Sequence, residues 1–365
     1  MADIRAGIYT VKDRWQVLSG RDAFVHAEKY LQPLYGGIPA GKNLWIDASM
    51  LADRSLANAI LSLDESTALA DETGFIAGIL DIGDAEFDAA TAPAHFKTIQ
   101  QVQNVRRLQH PWQIFQWNEE LLKEDFKIIT SGRTSHPIPS SNQCINQKDI
   151  FIEEGAEVNF SILNASTGPI YIGKNAVIME GSLIRGPFAL CEGAVVKMGA
   201  KIYGATTLGP YCTAGGEIKN SIMQAYSNKG HDGYLGDAVI GRWCNLGAGT
   251  SNSNVKNTGA VVKMWAGAAG EYLPVGVKGG VIMGDYSRTA INSAINTGTV
   301  IGICCNIFDG GLLPKHIPSF SWGGKTNSSY IFEKALDDIG NWKKMKQQTL
   351  NDAEKGVLKH IFDRI

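Results

Sequence analysis

Three features are scarce in this 365-residue sequence, and each scarcity excludes a class of protein. Six cysteines are too few for the disulfide framework of a small secreted domain, so we expect a reducing, cytoplasmic location. The 34 basic and 36 acidic side chains leave a formal charge of −2, which gives no reason to expect a nucleic-acid or anionic-membrane partner. No apolar run approaches the roughly 20 residues of a membrane span, and residues 1–8 lack the layout of a signal peptide.

Glycine, in contrast, is abundant and unevenly distributed. Residues 1–150 contain 9 of the 41 glycines, residues 151–325 contain 30, and the last 40 residues contain 2. A composition step of this size predicts a domain boundary near residues 140–150. We therefore predict four segments: an α/β domain over 1–135, a linker over 136–149, a glycine-rich domain over 150–325 and a helical segment over 326–365.

Aliphatic residues recur every six positions within the glycine-rich segment. The longest run comprises Ile172, Ile178, Ile184, Leu190, Val196, Ile202 and Leu208. Small side chains follow most of them four residues later, at Ala176, Ser182, Ala194, Ala200, Thr206 and Cys212. The register resumes at Ile222, Asn228, Tyr234, Ile240 and Leu246, and it returns at Met283, Ile295, Ile301 and Ile307.

A period of six fits neither a helix, with a period of about 3.6, nor a flat strand, with a period of about 2. It is typical of a parallel β-helix built from hexapeptide rungs, in which the aliphatic residue points inward and the small residue occupies a corner. Three rungs make one coil of about 18 residues in the left-handed form, which we predict here. The alternative is a glycine-rich β-sandwich with coincidental spacing. Residues 252–282 lack the register and predict an insertion.

The flanking segments predict different structures. Residues 43–47 and 74–80 resemble short strands and residues 53–63 an amphipathic helix, so the N-terminal domain is predicted to be mixed α/β. It contains no glycine-rich phosphate loop and no dinucleotide fingerprint. Apolar residues at helical spacing over 331–361 predict an amphipathic terminal helix.

The stretch from Gly216 to Thr250 combines polar residues and glycines in a distinctive order. It reads Glu217-x-Lys219, then His231-x-x-Tyr234-Leu-Gly-Asp-Ala238, then Ile240-Gly-x-x-x-Asn245-x-Gly-Ala-Gly-Thr250. This order closely resembles the acetyltransferase domain of the GlmU family, bifunctional N-acetylglucosamine-1-phosphate uridyltransferases and glucosamine-1-phosphate N-acetyltransferases. Residues 2–8, 132–135 and 318–324 resemble a divergent GlmU-like group of sugar nucleotidyltransferases. That group pairs the solenoid with a degenerate, Rossmann-like nucleotidyltransferase domain, whose first strand we expect to be absent here.

The resemblance implies an acyl-CoA-dependent N-acetyltransferase that acts on an amino-sugar phosphate similar to glucosamine 1-phosphate. An amino sugar is largely protonated near neutrality, so its attack on a thioester needs a base, and histidine has a suitable pKa. His231 matches the family's catalytic histidine, and Glu217 would hold the amine toward it. Backbone N–H groups of residues 245–250 would stabilise the oxyanion.

Further site residues are implied in the same way. They are Lys201 and Lys219 for the sugar phosphate, Tyr234 and Asn245 for the substrate, Asn254 beside the acetyl donor, and Ala248 and Gly249 for acetyl-CoA. The family has arginine in place of Lys201 and tyrosine in place of Val255. Because acetyl-CoA lies between adjacent solenoids of a trimer in the family, a homotrimer is implied. No resident metal is implied, and Mg²⁺ would be needed only if nucleotidyl transfer is retained.

Three alternatives remain. The N-terminal domain would be a sugar-1-phosphate nucleotidyltransferase, similar to a UDP-N-acetylglucosamine pyrophosphorylase, although residues 1–133 show no substitute for its phosphate loop. A zinc hydrolyase on the same solenoid needs three histidines, and the solenoid offers His231 and His316. A binding solenoid without catalytic activity is the third reading, and in that case replacing His231 changes nothing.

Overall fold

The computed structural model describes residues 1–81, 87–267, 269–325 and 328–365. Ala268, in the predicted insertion, and Thr326 and Asn327, at the start of the predicted helical segment, lie outside the described residues. The chain forms two compact units. The first, the N-terminal unit, comprises residues 1–4 and 9–109, and the second, the solenoid unit, comprises residues 5–8 and 110–365.

The N-terminal unit is a small α/β structure, as predicted. Its elements are α1 (Val11–Ser19), β1 (Asn43–Ile46), α2 (Arg54–Leu61), β2 (Thr67–Asp71), β3 (Gly74–Leu80) and β4 (Thr98–Gln101). The sheet order is β1-β3-β2-β4, with β3 antiparallel to both neighbours and β4 parallel to β2. Asp53 caps α2 because its carboxylate accepts a hydrogen bond from the Leu56 amide at 2.8 Å.

The solenoid unit stacks short parallel strands into three faces. Face 1 contains β5 (Gln143–Ile145), β8 (Ile162–Asn164), β11 (Leu183–Arg185), β14 (Lys201–Ile202), the first half of β17 (Glu217–Met223), the first half of β19 (Tyr234–Ile240), β21 (Ser251–Asn252) and β26 (Ala294–Ile295). Face 2 contains β6 (Ile150–Ile152), β9 (Ile170–Ile172), β12 (Phe188–Leu190), β15 (Thr206–Leu208), the second halves of β17 and β19, β24 (Val281–Met283), β27 (Thr299–Ile301) and β29 (His316–Ile317). Face 3 contains β7 (Glu157–Val158), β10 (Val177–Ile178), β13 (Val195–Val196), β16 (Thr213–Ala214), β18 (Asn228–Lys229), β20 (Asn245–Leu246), β25 (Arg288–Thr289) and β28 (Asn306–Ile307).

The predicted six-residue register is confirmed from residue 172 to residue 208. All seven aliphatic residues of that run are at most 2% exposed and belong to one continuous core. The small residues predicted at the corners are buried as well. Each coil buries its apolar side chains against its neighbours, as expected for a solenoid. The parallel β-solenoid, the N-terminal α/β region and the C-terminal helices therefore confirm the predicted fold class.

The predicted register is wrong by one residue at three positions farther along. Met223, Lys229 and Leu235 occupy the inward positions, in place of the predicted Ile222, Asn228 and Tyr234. The physical reason is shorter corners. The inward residues Leu235 and Ile240 are five positions apart, because the corner between the two halves of β19 is short, so a six-residue register extended back from Ile240 falls one residue early.

The helix α3 (Gln113–Ile129) lies within the predicted N-terminal domain but packs in the solenoid unit. Its Asn118 side chain donates to the Ala205 carbonyl at 2.8 Å and accepts from the Gly7 amide at 2.9 Å. The division at Gln109 and His110 thus precedes the composition step, because α3 covers face 2. The predicted linker, 136–149, contains β5, the first strand of face 1.

The predicted insertion contains an antiparallel hairpin, β22 (Val262–Ala266) and β23 (Glu271–Gly276). Val262 and Met264 are fully buried, and the Trp265 ring stacks on His316 with centroids 4.8 Å apart. The predicted terminal helix is two helices, α4 (Phe332–Lys344) and α5 (Asp352–Phe362), which pack around Phe320. Within the described ranges, no helix is both long and apolar enough to cross a bilayer.

Candidate functional site

A column of polar side chains runs along face 1. Lys201 pairs with Glu217, and Glu217 pairs with Tyr234, on three successive parallel strands. Adjacent strands lie about 4.8 Å apart, so the three side chains project from the same face at that spacing. Lys219 is exposed on the same face, two residues beyond Glu217 and in register with Gly236. Two cations therefore border one carboxylate and one phenol.

Tyr234 is held by a network of amide side chains. The Asn254 Nδ2 group donates to the Tyr234 hydroxyl at 3.1 Å and also to a carboxylate oxygen of Asp237. The other Asp237 oxygen accepts from Asn220 Nδ2 at 2.7 Å. Burial, with Asp237 and Glu217 nearby, raises the pKa of Tyr234 to about 12. Tyr234 is therefore a neutral hydrogen-bonding group near neutral pH and not a base.

His231 is exposed in the corner between β18 and β19, where face 3 meets face 1. Gly233, two residues later, has φ 122°, and a Cβ there would lie 2.1 Å from the Thr250 carbonyl oxygen. Only glycine fits such a close approach at positive φ. The corner that carries His231 is therefore fixed against the next coil.

Lys229 fixes the same corner from inside the solenoid. Its side chain is 2% exposed, and its Nζ donates to the His231 carbonyl at 2.8 Å and to the Gly215 carbonyl at 3.1 Å. Burial lowers the pKa of Lys229 to about 8, although Asp232 opposes the shift. The predicted register, which is one residue early here, missed this residue because it assigned the inward position to Asn228.

The glycine-rich segment 245–250 lies one coil beyond His231. The Gly249 amide donates to the Asp232 carbonyl at 3.0 Å, and the Ala248 carbonyl accepts from the Asn292 amide at 2.7 Å. The amides of Asn245, Gly247, Gly249 and Thr250 all donate to carbonyl oxygens of the solenoid. Because these hydrogen atoms are already used in joining coils and closing turns, the expected oxyanion contact at those four amides is not supported.

The expected site residues thus fall into three groups. Lys201, Glu217, Lys219, Tyr234 and Asn254 share face 1 or its edge, as their pairing and hydrogen bonds show. His231, Ala248 and Gly249 lie at the adjoining corner, in successive coils. Asn245 lies on face 3, in register with Asn228 and Arg288, so it does not share the sheet of Glu217.

A charged cluster in the N-terminal unit is centred on Arg107. Arg107 contacts both oxygens of Asp71, at 3.0 and 3.1 Å, and also binds a carboxylate oxygen of Asp47. Burial opposes the shift, but hydrogen bonds from Arg107 and Thr73 lower the pKa of Asp71. In the part of the chain that the structure describes, no group of three or more His, Cys, Asp or Glu side chains is arranged to hold a metal ion.

Comparisons with known proteins find one family match and several curated relatives. The family described as "Sugar nucleotidyl transferase" matches residues 1–134. The bifunctional protein GlmU of Synechococcus elongatus is 27% identical over 163 residues, 42% of this chain and 32% of that protein. GlmU of Nitrosospira multiformis is 34% identical over 119 residues, 30% of this chain and 24% of that protein. The chain therefore spans about a third or less of the length of these relatives.

Among solved structures, the Arabidopsis UDP-N-acetylglucosamine acyltransferase aligns with 63% of this chain and 97% of its own. The identity is 14% and the TM-score is 0.27, which is too low to support an argument. The sequence matches are the informative ones. Residues 1–134 match a sugar nucleotidyl transferase family, and part of the chain is similar to GlmU proteins at 27–34% identity.

Proposed function

We propose that the solenoid unit is an acyl-CoA-dependent N-acyltransferase that acts on an amino-sugar phosphate. The observation that carries the proposal is the juxtaposition on face 1. Lys201, Glu217 and Tyr234 occupy one column beside the corner that presents His231. A phosphate needs fixed cations, and an amine nucleophile needs a base and an acceptor that orients it.

In the proposed mechanism, Lys201 and Lys219 bind the sugar phosphate, and Glu217 accepts a hydrogen bond from the amine. The ammonium form of the acceptor first loses one proton to solvent, and His231 removes a second proton as the neutral nitrogen attacks the thioester carbonyl. The tetrahedral intermediate then breaks its C–S bond, so the amide forms and the thiolate leaves. The imidazolium returns the proton to the thiolate, and both groups end neutral. Tyr234, held by Asn254 at 3.1 Å, donates to the sugar.

The acyl donor, acetyl-CoA, would lie along the corner formed by Ala248 and Gly249. The assembly would be a homotrimer. Both residues are half-buried, and the Gly249 amide is bonded to Asp232, the residue that follows His231. This proposal brings the thioester to the same corner as the base. A cross-linking or light-scattering measurement of the assembly checks the homotrimer.

The test is thiol release from acetyl-CoA with a panel of amino-sugar phosphates and nucleoside diphosphate amino sugars, including glucosamine 1-phosphate. We expect release that depends on the acceptor and falls at least about 100-fold in His231→Ala, the range that a general base contributes. His136→Ala, at an exposed histidine outside the site, is the matched control and should leave the rate unchanged. No turnover with any member of the panel would reject the proposal.

Nucleotidyl transfer by the N-terminal unit is the second candidate, favoured by the family match over residues 1–134. It would need Mg²⁺ between carboxylates and phosphates. Asp47 and Asp71 are paired with Arg107, which makes them less suitable as metal ligands. Pyrophosphate release from UTP, Mg²⁺ and N-acetylglucosamine 1-phosphate tests this candidate, and a rate that survives His231→Ala would assign it to the N-terminal unit.

A further inference from the structure

An open groove of about 270 Å³ continues face 1 beyond the proposed sugar-phosphate site. Lys201 belongs to both, since it lines the groove and stands in the column with Glu217. The other side chains used below are Ile162, Leu183, Arg185 and Tyr203. The groove therefore extends the proposed acceptor site in the direction away from His231.

Three cations lie on three successive strands of this face. Lys219 is on β17, Lys201 on β14 and Arg185 on β11, and the pairing of Leu183 with Lys201 and of Lys201 with Glu217 fixes their order. Strands about 4.8 Å apart place the cations at successive steps along the face, with Lys201 two residues to one side of the column that contains Arg185 and Lys219. In the described ranges, none of the three forms an ion pair, and all three are exposed.

The groove also contains apolar and aromatic surface. Ile162 is 39% exposed, Leu183 is 46% exposed and Tyr203 is 41% exposed, all on the same face. Single exposed apolar side chains are ordinary, but three that line one groove next to a row of cations form a surface of mixed chemistry. A sugar 1-phosphate has no group beyond its single phosphate, so it would contact neither Arg185 nor this apolar surface.

We propose that the acceptor is a nucleoside diphosphate amino sugar, with its diphosphate along Lys219, Lys201 and Arg185 and its nucleoside in the groove. Two linked phosphates match cations that lie on consecutive strands in two adjacent columns, and Arg185 offers a fork of donors to the distal phosphate. The nucleobase would pack on Leu183, Ile162 and the Tyr203 ring. The position of the amine rests on the proposed acyltransferase function, whereas nucleotide binding is independent of it.

Calorimetric titration of the full chain separates these claims. The probes are UDP, TDP and GDP, UDP-glucosamine, and glucosamine 1-phosphate. We expect at least one nucleoside diphosphate to bind, and UDP-glucosamine to bind at least about 10-fold more tightly than glucosamine 1-phosphate, as one further charge-assisted contact provides. Arg185→Gln should weaken the nucleotide about 10-fold and leave glucosamine 1-phosphate within about twofold. Arg242→Gln, at an exposed arginine outside the groove, is the matched control.

Equal affinity for the sugar nucleotide and the sugar phosphate, or equal weakening of both in Arg185→Gln, would overturn the inference. Dissociation of an oligomer in Leu183→Asp would show that a second copy of the chain covers the groove. That result would also overturn the inference. Thiol release with glucosamine 1-phosphate alone would then still support the proposed function. Conversely, Arg185-dependent nucleotide binding without thiol release from any acceptor would support the groove and reject the acyltransferase.

Discussion

Two stretches of the same solenoid differ in what occupies their interior. From residue 172 to residue 208 every inward position is aliphatic, and the chain repeats every six residues. On the strand that pairs with Ala214 in the next coil, the inward position is occupied by Lys229. Its ammonium group donates hydrogen bonds to two backbone carbonyls. The regular stretch provides a rigid platform, and the departure from regularity fixes the corner that presents His231.

The largest expected effect on stability tests the regular stretch. Leu190→Ala should lower the free energy of unfolding by roughly 2–5 kcal/mol, because the side chain is fully buried between coils that cannot collapse around a cavity. Urea denaturation of the two proteins measures the difference. Met198→Ala, in the same stretch but 69% exposed, is the control and should change stability by less than about 0.5 kcal/mol. Equal effects would contradict the assigned register.

The next effect tests the irregular stretch through its pH dependence. Lys229 has a pKa of about 8 in the folded protein, against a usual value of 10.5, so the unfolded state binds more protons between those values. Stability due to this residue should therefore rise with pH from about 8 to 10.5, by about 3 kcal/mol in all. Buried Tyr and Cys side chains also make stability depend on pH in that range. The Lys229→Met variant contains the same Tyr and Cys residues, so their effect cancels when the two proteins are compared.

The measurement is denaturation of wild type and Lys229→Met at pH 7.5 and pH 10.5. The wild type should gain stability relative to the variant as the pH rises. A constant difference would show that Lys229 is solvated and does not occupy the interior.

Thiol release should also fall in Lys229→Met if the lysine positions the His231 corner, whereas Leu190→Ala should leave the rate per folded molecule unchanged.

The smallest expected effect concerns the surface of face 1. Lys201→Gln should raise the KM for the amino-sugar phosphate about 10-fold and change kcat little, because one charge-assisted contact to the phosphate is lost. Steady-state kinetics of thiol release measure both constants. Lys174→Gln, at an exposed lysine outside the site, is the matched control. A kcat loss with an unchanged KM would assign Lys201 a different role.

The sequence was sufficient to predict the regular parts of the molecule. Periodicity identified the inward residues from Ile172 to Leu208, because each coil repeats the same packing. It failed where corners shorten, at Gly215 and Gly216 and again between Leu235 and Ile240, since a repeat rule contains no information about a change of phase. The inward position of Lys229 depends on that change and was therefore missed.

The candidate site was predicted in part. The spacing of Glu217, Lys219 and Tyr234 along parallel strands agrees with a shared face, because coil length fixes which residues are neighbours. Asn245 lies on another face, which a linear motif cannot show. Likewise, the Gly249 amide donates a hydrogen bond to the Asp232 carbonyl because of the way the coils stack, which the sequence does not show.

We infer that the catalytic groups of this solenoid lie where the six-residue repeat is interrupted, whereas the repeat itself provides stability. Acetyl-CoA-dependent thiol release, measured per folded molecule for His231→Ala and Leu190→Ala, separates the two roles. We expect at least about a 100-fold loss in His231→Ala and a rate close to wild type in Leu190→Ala. Equal rates in His231→Ala and the wild-type protein would contradict it.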